Sequence, residues 1–172
     1  DDEYDFKVSA ELQKAGADCI INISASPYHE HRLQERLGLI QHKVRETGLP
    51  FYYCNLVGAQ DELIFDGQSL AVNGSGDVIG LGTIFSEEII YVDSETANII
   101  DLSTKDREGE MVIALVLGVK DYFKKTGHKE AVIGLSGGID SSLVACIAVD
   151  AIGKENVHGV SMPSVFSSEH SK

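Results

Sequence analysis

Ala131-Val132-Ile133-Gly134-Leu135-Ser136-Gly137-Gly138-Ile139-Asp140-Ser141-Ser142 is the stretch on which the reading of this chain turns. Residues 131–135 are apolar and partly β-branched, which predicts a strand. From Asp140 or Ser141 to Ile152 an apolar run closed by Gly153 predicts a helix, and residues 157–162 predict a second strand. Strand, glycine turn, helix and strand make a βαβ unit, whose crossover is expected to be right-handed.

The glycine turn sits where strand meets helix, and that placement carries chemistry. The first N–H groups of a helix have no intrahelical partner and concentrate about half a positive charge, so they suit a phosphate. Gly137 and Gly138 let the backbone approach such an anion without a Cβ in the way. Ser136, Ser141 and Ser142 add hydroxyls, and Asp140 adds a carboxylate suited to Mg²⁺ held against the same phosphates. No lysine stands in the loop, and its spacing is not that of the Walker motif. The plain alternative is a glycine-rich turn with an N-capping serine. At ordinary residue frequencies, five such fixed positions arise by chance about once in a few thousand chains, and the flanking strand and helix make that rarer.

Outward from this loop, the chain has 172 residues, 43% of them hydrophobic and 24% charged, as in a soluble globular protein of one domain or two small ones. Its net charge of −13 argues against a broad grip on nucleic acid or anionic lipid, while leaving local anion binding open. No apolar run approaches the roughly 18 residues of a membrane span. Three cysteines, Cys19, Cys54 and Cys146, are too few for a disulfide framework and point to a reducing compartment, so a cytoplasmic location is expected. Each reads as a buried structural thiol. The histidines form no metal-binding pattern. Asp1 is not a methionine, and the chain stops just after a strand-like run, so a piece of a longer polypeptide is expected.

Before the loop, Phe6, Val8, Leu12 and Ala15 predict a short helix ended by Gly16, and residues 19–23 a buried strand. In residues 30–46, Leu33, Leu37, Ile40 and Val44 share one helical face, with Arg32, Glu35, Arg36, Lys43 and Arg45 around the rest. Residues 51–57 predict a strong strand, followed by short strands at 63–65, 69–72, 78–81 and 88–92. Asn73-Gly74-Ser75-Gly76 is a hairpin signal. Residues 93–110 are polar and predict a linker, and Met111, Leu115, Gly118 or Val119, and Tyr122 predict a helix ended near Gly127.

Ser136-Gly137-Gly138-Ile139-Asp140-Ser141 resembles the pyrophosphate-binding loop of the N-type ATP pyrophosphatases, enzymes that adenylate a substrate with MgATP before an amine displaces AMP. Ala114-Leu115-Val116-Leu117-Gly118-Val119-Lys120-Asp121-Tyr122, Val160-Ser161-Met162-Pro163-Ser164 and Ser167-Ser168-Glu169-His170-Ser171 are similar to the flanks of that loop in NAD synthetases. In the other half, Asn22-Ile23-Ser24-Ala25-Ser26-Pro27-Tyr28 with Arg32, Tyr53-Cys54-Asn55-Leu56-Val57-Gly58 and Phe65-Asp66-Gly67-Gln68-Ser69 resemble the later part of a nitrilase-type amidase domain. The nearest likeness there is the glutaminase domain of the glutamine-dependent NAD synthetase family.

The resemblance implies an α/β protein: the C-terminal part of a nitrilase-like αββα sandwich in residues 1–92, a linker in 93–110, and in 111–172 the opening βαβ of a parallel-sheet ATP pyrophosphatase domain of the adenine-nucleotide α-hydrolase type. It implies ATP-dependent amidation of nicotinic acid adenine dinucleotide with ammonia from glutamine. ATP and Mg²⁺ would be required, and a homo-oligomer with no nucleic-acid or membrane partner is expected. Residues 136–142, namely Ser136, Gly137, Gly138, Ile139, Asp140, Ser141 and Ser142, would bind ATP, Asp140 the metal, and Ser26 with Arg32 the glutamine. The hydroxyl and the cation would address the α-carboxylate. Arg32 also has a plain reading, a solvated helix charge. The glutaminase Glu, Lys and Cys of the family would fall before Asp1, so no catalytic residue is carried over. Two rivals remain at this point: another glutamine amidotransferase with the same loop, and a non-catalytic nucleotide-binding or assembly module.

Overall fold

The computed structural model describes residues 7–93, 98–100, 102 and 107–163. The elements run α1 Val8–Lys14, β1 Ile20–Ser24, α2 Arg32–Thr47, β2 Phe51–Asn55, β3 Val57–Gln60, β4 Leu63–Asp66, β5 Leu70–Val72, β6 Val78–Leu81, α3 Arg107–Thr126, β7 Ala131–Leu135, α4 Ile139–Ile152 and β8 Val157–Ser161, with one 3-10 turn at Lys154–Asn156. They form two compact units, Asp1–Val57 with Phe65–Lys105, and Gly58–Ile64 with Asp106–Lys172.

In the first unit, β1 and β2 pair in parallel with α2 as their crossover, and β5 and β6 add antiparallel, giving the order β1-β2-β5-β6. The core forms where α2 lays Ile40 and Val44 onto Ile20, Phe51, Tyr53, Leu70, Val72 and Val78. Leu33 and Leu37 pack against its margin, as the helical periodicity predicts. The Asn73 turn holds β5 to β6: its side-chain Oδ1 accepts the N–H groups of Ser75 and Asp77 at 3.0 and 2.9 Å.

Several expectations are corrected here. Arg36 and Lys43 are buried, not solvated. The strand read over 51–57 breaks at Leu56, whose N–H goes to the Ser24 carbonyl at 3.0 Å, and the chain leaves it as the separate strand β3. No strand forms over residues 88–92. Cys54 and Cys146 are exposed and Cys19 is half-buried, because Cys54 takes the outward position in the alternating pattern of β2. Phe6, the middle of the 93–110 stretch, and the motif residues from Ser164 onward, His170 included, lie outside the described residues.

In the second unit, β7 and β8 pair in parallel over five residues each, from Ala131 opposite Val157 to Leu135 opposite Ser161. Helix α4 is their crossover and α3 packs on it. Helix α3 begins at Arg107, four residues before the expected Met111, since Glu108 and Glu110 suit a helix's first turn. The β3–β4 hairpin tip belongs to this unit. Ala59 donates its N–H to Asp121 Oδ2 at 2.8 Å, and Lys125 Nζ donates to the Ala59 carbonyl. Gly58 at φ 133° admits this approach, because a Cβ there would stand 2.8 Å from Asp121 Oδ2. Among the described residues no helix is long and apolar enough to cross a membrane.

Candidate functional site

Two groups of residues stand out, one in each unit. In the second unit, β7 ends at Leu135 and Gly137, at φ 81°, turns the chain into α4. Gly138 follows in an extended conformation (φ −89°, ψ 165°) as the N-cap, with no side-chain capping bond. The N–H groups of Ile139, Asp140 and Ser141 therefore open the helix with no carbonyl one turn behind them. Ser142 N–H is the first to close back, onto the Gly138 carbonyl at 3.3 Å.

The serines shape this loop. Ser141 and Ser142 both donate their hydroxyls to the Gly138 carbonyl at 3.0 Å. Ser136 Oγ lies 3.2 Å from Ser141 Oγ and accepts the Gly138 N–H at 3.4 Å. The Ser136 N–H in turn goes to Ser141 Oγ at 3.3 Å. The seven residues singled out in the sequence are thus brought together, and apart from half-buried Ser141 they are exposed. Asp140 lies in the first turn of α4, beside those open N–H groups.

The residues present fit Mg²⁺ in one way. Among the described residues no group of three or more His, Cys, Asp or Glu could hold a metal by itself. Mg²⁺ is commonly held by one or two carboxylates together with phosphate oxygens and water. One exposed carboxylate at the mouth of an anion-binding helix suits an ion that arrives with a nucleotide.

The first unit brings Ser26 and Arg32 together. Ser26 Oγ accepts from Arg32 Nε at 3.1 Å and from Arg32 Nη2 at 2.9 Å, across six residues of sequence. Nη1 of the same guanidinium reaches Glu35 Oε2 at 3.2 Å and lies 3.3 Å from His29 Nε2. Two local features aim Arg32: its N–H bonds to the His29 carbonyl at 3.0 Å, and His31 adopts the left-handed conformation at φ 66° just before α2. Both side chains line a cavity of about 550 Å³ together with Ser24, Glu35, Arg36 and Tyr53.

Behind them lies a buried network that the sequence reading assigned no role. Asn55 Oδ1 accepts the Ser26 N–H at 2.8 Å, and Asn55 Nδ2 donates to the Ser26 carbonyl at 3.2 Å and to Asp66 Oδ1 at 3.1 Å. Tyr53 donates its hydroxyl to Asn55 Oδ1 at 3.3 Å. Arg36 meets both Asp66 oxygens, Nη1 to Oδ2 at 3.1 Å and Nη2 to Oδ1 at 3.0 Å, and lies over the Tyr53 ring. Asp66 is 0% exposed and Arg36 5%. One clue was legible: an aspartate at the end of an apolar strand, Leu63-Ile64-Phe65-Asp66, calls for a buried cation, and Arg36 on the apolar-faced helix was available.

Residues 111–172 match the family NAD synthase. Over 98% of its length the chain is 45% identical to the glutamine-dependent NAD(+) synthetase of Synechocystis sp., covering 31% of that protein. Over 91% of its length it is 40% identical to the Thermotoga maritima protein of the same name, covering 34% of it. Among solved structures, glutamine-dependent NAD+ synthetase from Acinetobacter baumannii, in complex with adenosine diphosphate, superposes on 94% of this chain at a TM-score of 0.84 and 33% identity, with 32% of that chain covered. The Cytophaga hutchinsonii enzyme gives a TM-score of 0.66 at 29% identity, covering 81% of this chain and 23% of that one. The chain therefore spans about a third of the length of the curated relatives it matches.

Proposed function

We propose that this chain, whose residues 111–172 match the NAD synthase family, serves ATP-dependent amidation of nicotinic acid adenine dinucleotide to NAD. Glutamine supplies the ammonia, and AMP and pyrophosphate are released. The observation that carries this reading is the loop between β7 and α4, where Gly137 and Gly138 lead into three open backbone N–H groups.

In this reading residues 111–172 are part of the ATP pyrophosphatase domain, residues 1–92 part of the nitrilase-like glutaminase domain, and 93–110 their linker. The N–H groups of Ile139, Asp140 and Ser141 face the ATP phosphates and stabilise the negative charge that builds on the departing pyrophosphate. The hydroxyls of Ser136, Ser141 and Ser142, now closed on the loop, rotate to add donors, and the glycines keep the approach clear of side chains. Asp140 would hold Mg²⁺, which as a Lewis acid neutralises phosphate charge. In the first unit Ser26 and Arg32 receive the glutamine α-carboxylate, the guanidinium contributing a charge-assisted bond. In this reading the enzyme is homo-oligomeric and works in the cytoplasm.

The test is calorimetric titration of the intact polypeptide carrying these residues with MgATP and with MgAMP. Tight MgATP binding, lost on Asp140→Ala, is expected, and equal binding of MgATP and MgAMP would refute a phosphate-cradling loop. With amide-¹⁵N glutamine and nicotinic acid adenine dinucleotide, the label should then appear in the carboxamide of NAD.

A further inference from the structure

We propose that Asn55 is a positioning residue of the glutamine site, acting through Ser26 on Arg32; this rests on the reading of Ser26 and Arg32 as glutamine-binding. Strand β1 ends at Ser24, opposite Asn55 in the parallel register with β2. Two residues further on the backbone of Ser26 has no strand to pair with, and the Asn55 carboxamide takes that place. It accepts the Ser26 N–H and donates to the Ser26 carbonyl, at 2.8 and 3.2 Å. A side chain thus extends the ladder past the end of the strand and holds the one residue whose hydroxyl accepts twice from Arg32.

The carboxamide can do this in one orientation only. The Ser26 N–H can only donate, so it requires Oδ1. The Asp66 carboxylate accepts, so Oδ1 at 3.1 Å requires Nδ2. Arg36 grips both Asp66 oxygens and offsets the burial of that carboxylate. The Asn55 N–H bonds to Ser69 Oγ at 3.1 Å, which fixes the backbone beneath the amide. The pair Arg36 and Asp66 therefore selects the rotamer of Asn55, Asn55 sets the place of Ser26, and Ser26 takes two of the donors of Arg32, fixing the plane of its guanidinium. Every member belongs to the first unit.

A residue that only positions a binding group changes uniform binding, so its loss raises KM and spares kcat. Steady-state glutamine hydrolysis by the intact polypeptide carrying these residues is the experiment. Asn55→Ala and Asn55→Asp are expected to raise the KM for glutamine by about tenfold or more while kcat changes by less than about twofold, and Arg32→Ala should do at least as much. An unchanged KM in the Asn55 variants beside a raised KM in Arg32→Ala overturns the proposal and leaves the glutamine reading standing. An unchanged KM in Arg32→Ala and in Ser26→Ala overturns both. A fall in kcat alone also overturns the proposal. Where circular dichroism shows that the Asn55 variants do not fold, Tyr53→Phe decides, since it removes one bond to Oδ1 and keeps the ring over Arg36. A rise in KM of about two- to fourfold supports the proposal, and no change refutes it.

Discussion

Arg36 and Asp66 meet through two parallel hydrogen bonds of 3.1 and 3.0 Å, and neither side chain is more than 4% exposed. Thirty residues apart in sequence, they tie the crossover helix α2 to the end of β4. Removing one member leaves a buried charge without its partner, at a cost of about 3–5 kcal/mol. Asp66→Asn is expected to show that loss in urea unfolding at neutral pH. Arg36→Met combined with Asp66→Leu should recover most of it, because two apolar groups leave no orphaned charge, although Asn55 Nδ2 then loses an acceptor.

The hairpin contact to α3 should be sensitive to acid. Burial pushes the Asp121 carboxyl up, but the Ala59 N–H and the cations of Lys125 and Lys124 together outweigh it, so the carboxyl is held below its ordinary 3.8. A carboxyl lowered by folding contributes stability above its unfolded value and loses it as pH falls through the folded one. Unfolding free energies of the parent and of Asp121→Asn should therefore differ by a constant amount, about 0.5–1.5 kcal/mol, above about pH 5, and should converge below about pH 4. A difference that grows on acidification would contradict this assignment.

Gly137 stands at φ 81°, where a Cβ costs about 1–2 kcal/mol. Gly137→Ala should weaken MgATP binding about tenfold or more by swinging the loop off the helix axis, with a small fall in melting temperature. Gly138→Ala is the informative neighbour. Its φ is −89°, and an added Cβ would meet only Ser136 Oγ at 3.5 Å. The loop itself should accept it, so any loss of affinity reports how closely a phosphate approaches the backbone there.

Asp140→Asn separates the two parts assigned to the loop. Binding of inorganic pyrophosphate with Mg²⁺ should weaken by about tenfold, roughly 1.4 kcal/mol, whereas binding measured in excess EDTA should hold or tighten slightly as a like charge is removed. Equal losses in both conditions would mean that Asp140 shapes the loop and does not hold the ion.

The division between what was legible and what was not follows the range of the interactions. The β7–α4–β8 unit was read within a residue or two at each boundary, because strand, glycine turn and helix are coded locally: Gly137 and Gly153 both take the positive φ that their positions demanded. The core face of α2 was likewise legible, since Ile40 and Val44 follow a 3.6-residue period. Arg36 stands three residues after Leu33 and four before Ile40, beside that same face, and only its charge argued for solvent. Polarity cannot register that a carboxylate thirty positions away will be folded underneath.

The break at Leu56, the exposed Cys54 and the missing strand at 88–92 depend on which edges are paired and which faces are covered in the folded chain, and a propensity scale registers neither. By itself the sequence determined the strand, glycine turn and helix of residues 131–152 and the α/β class, while Ser26 and Arg32 were marked as a pair by a family resemblance. Only the tertiary structure brought Asn55, Asp66 and Arg36 in behind that pair, because a hydrogen bond depends on distance in space and is indifferent to distance along the chain.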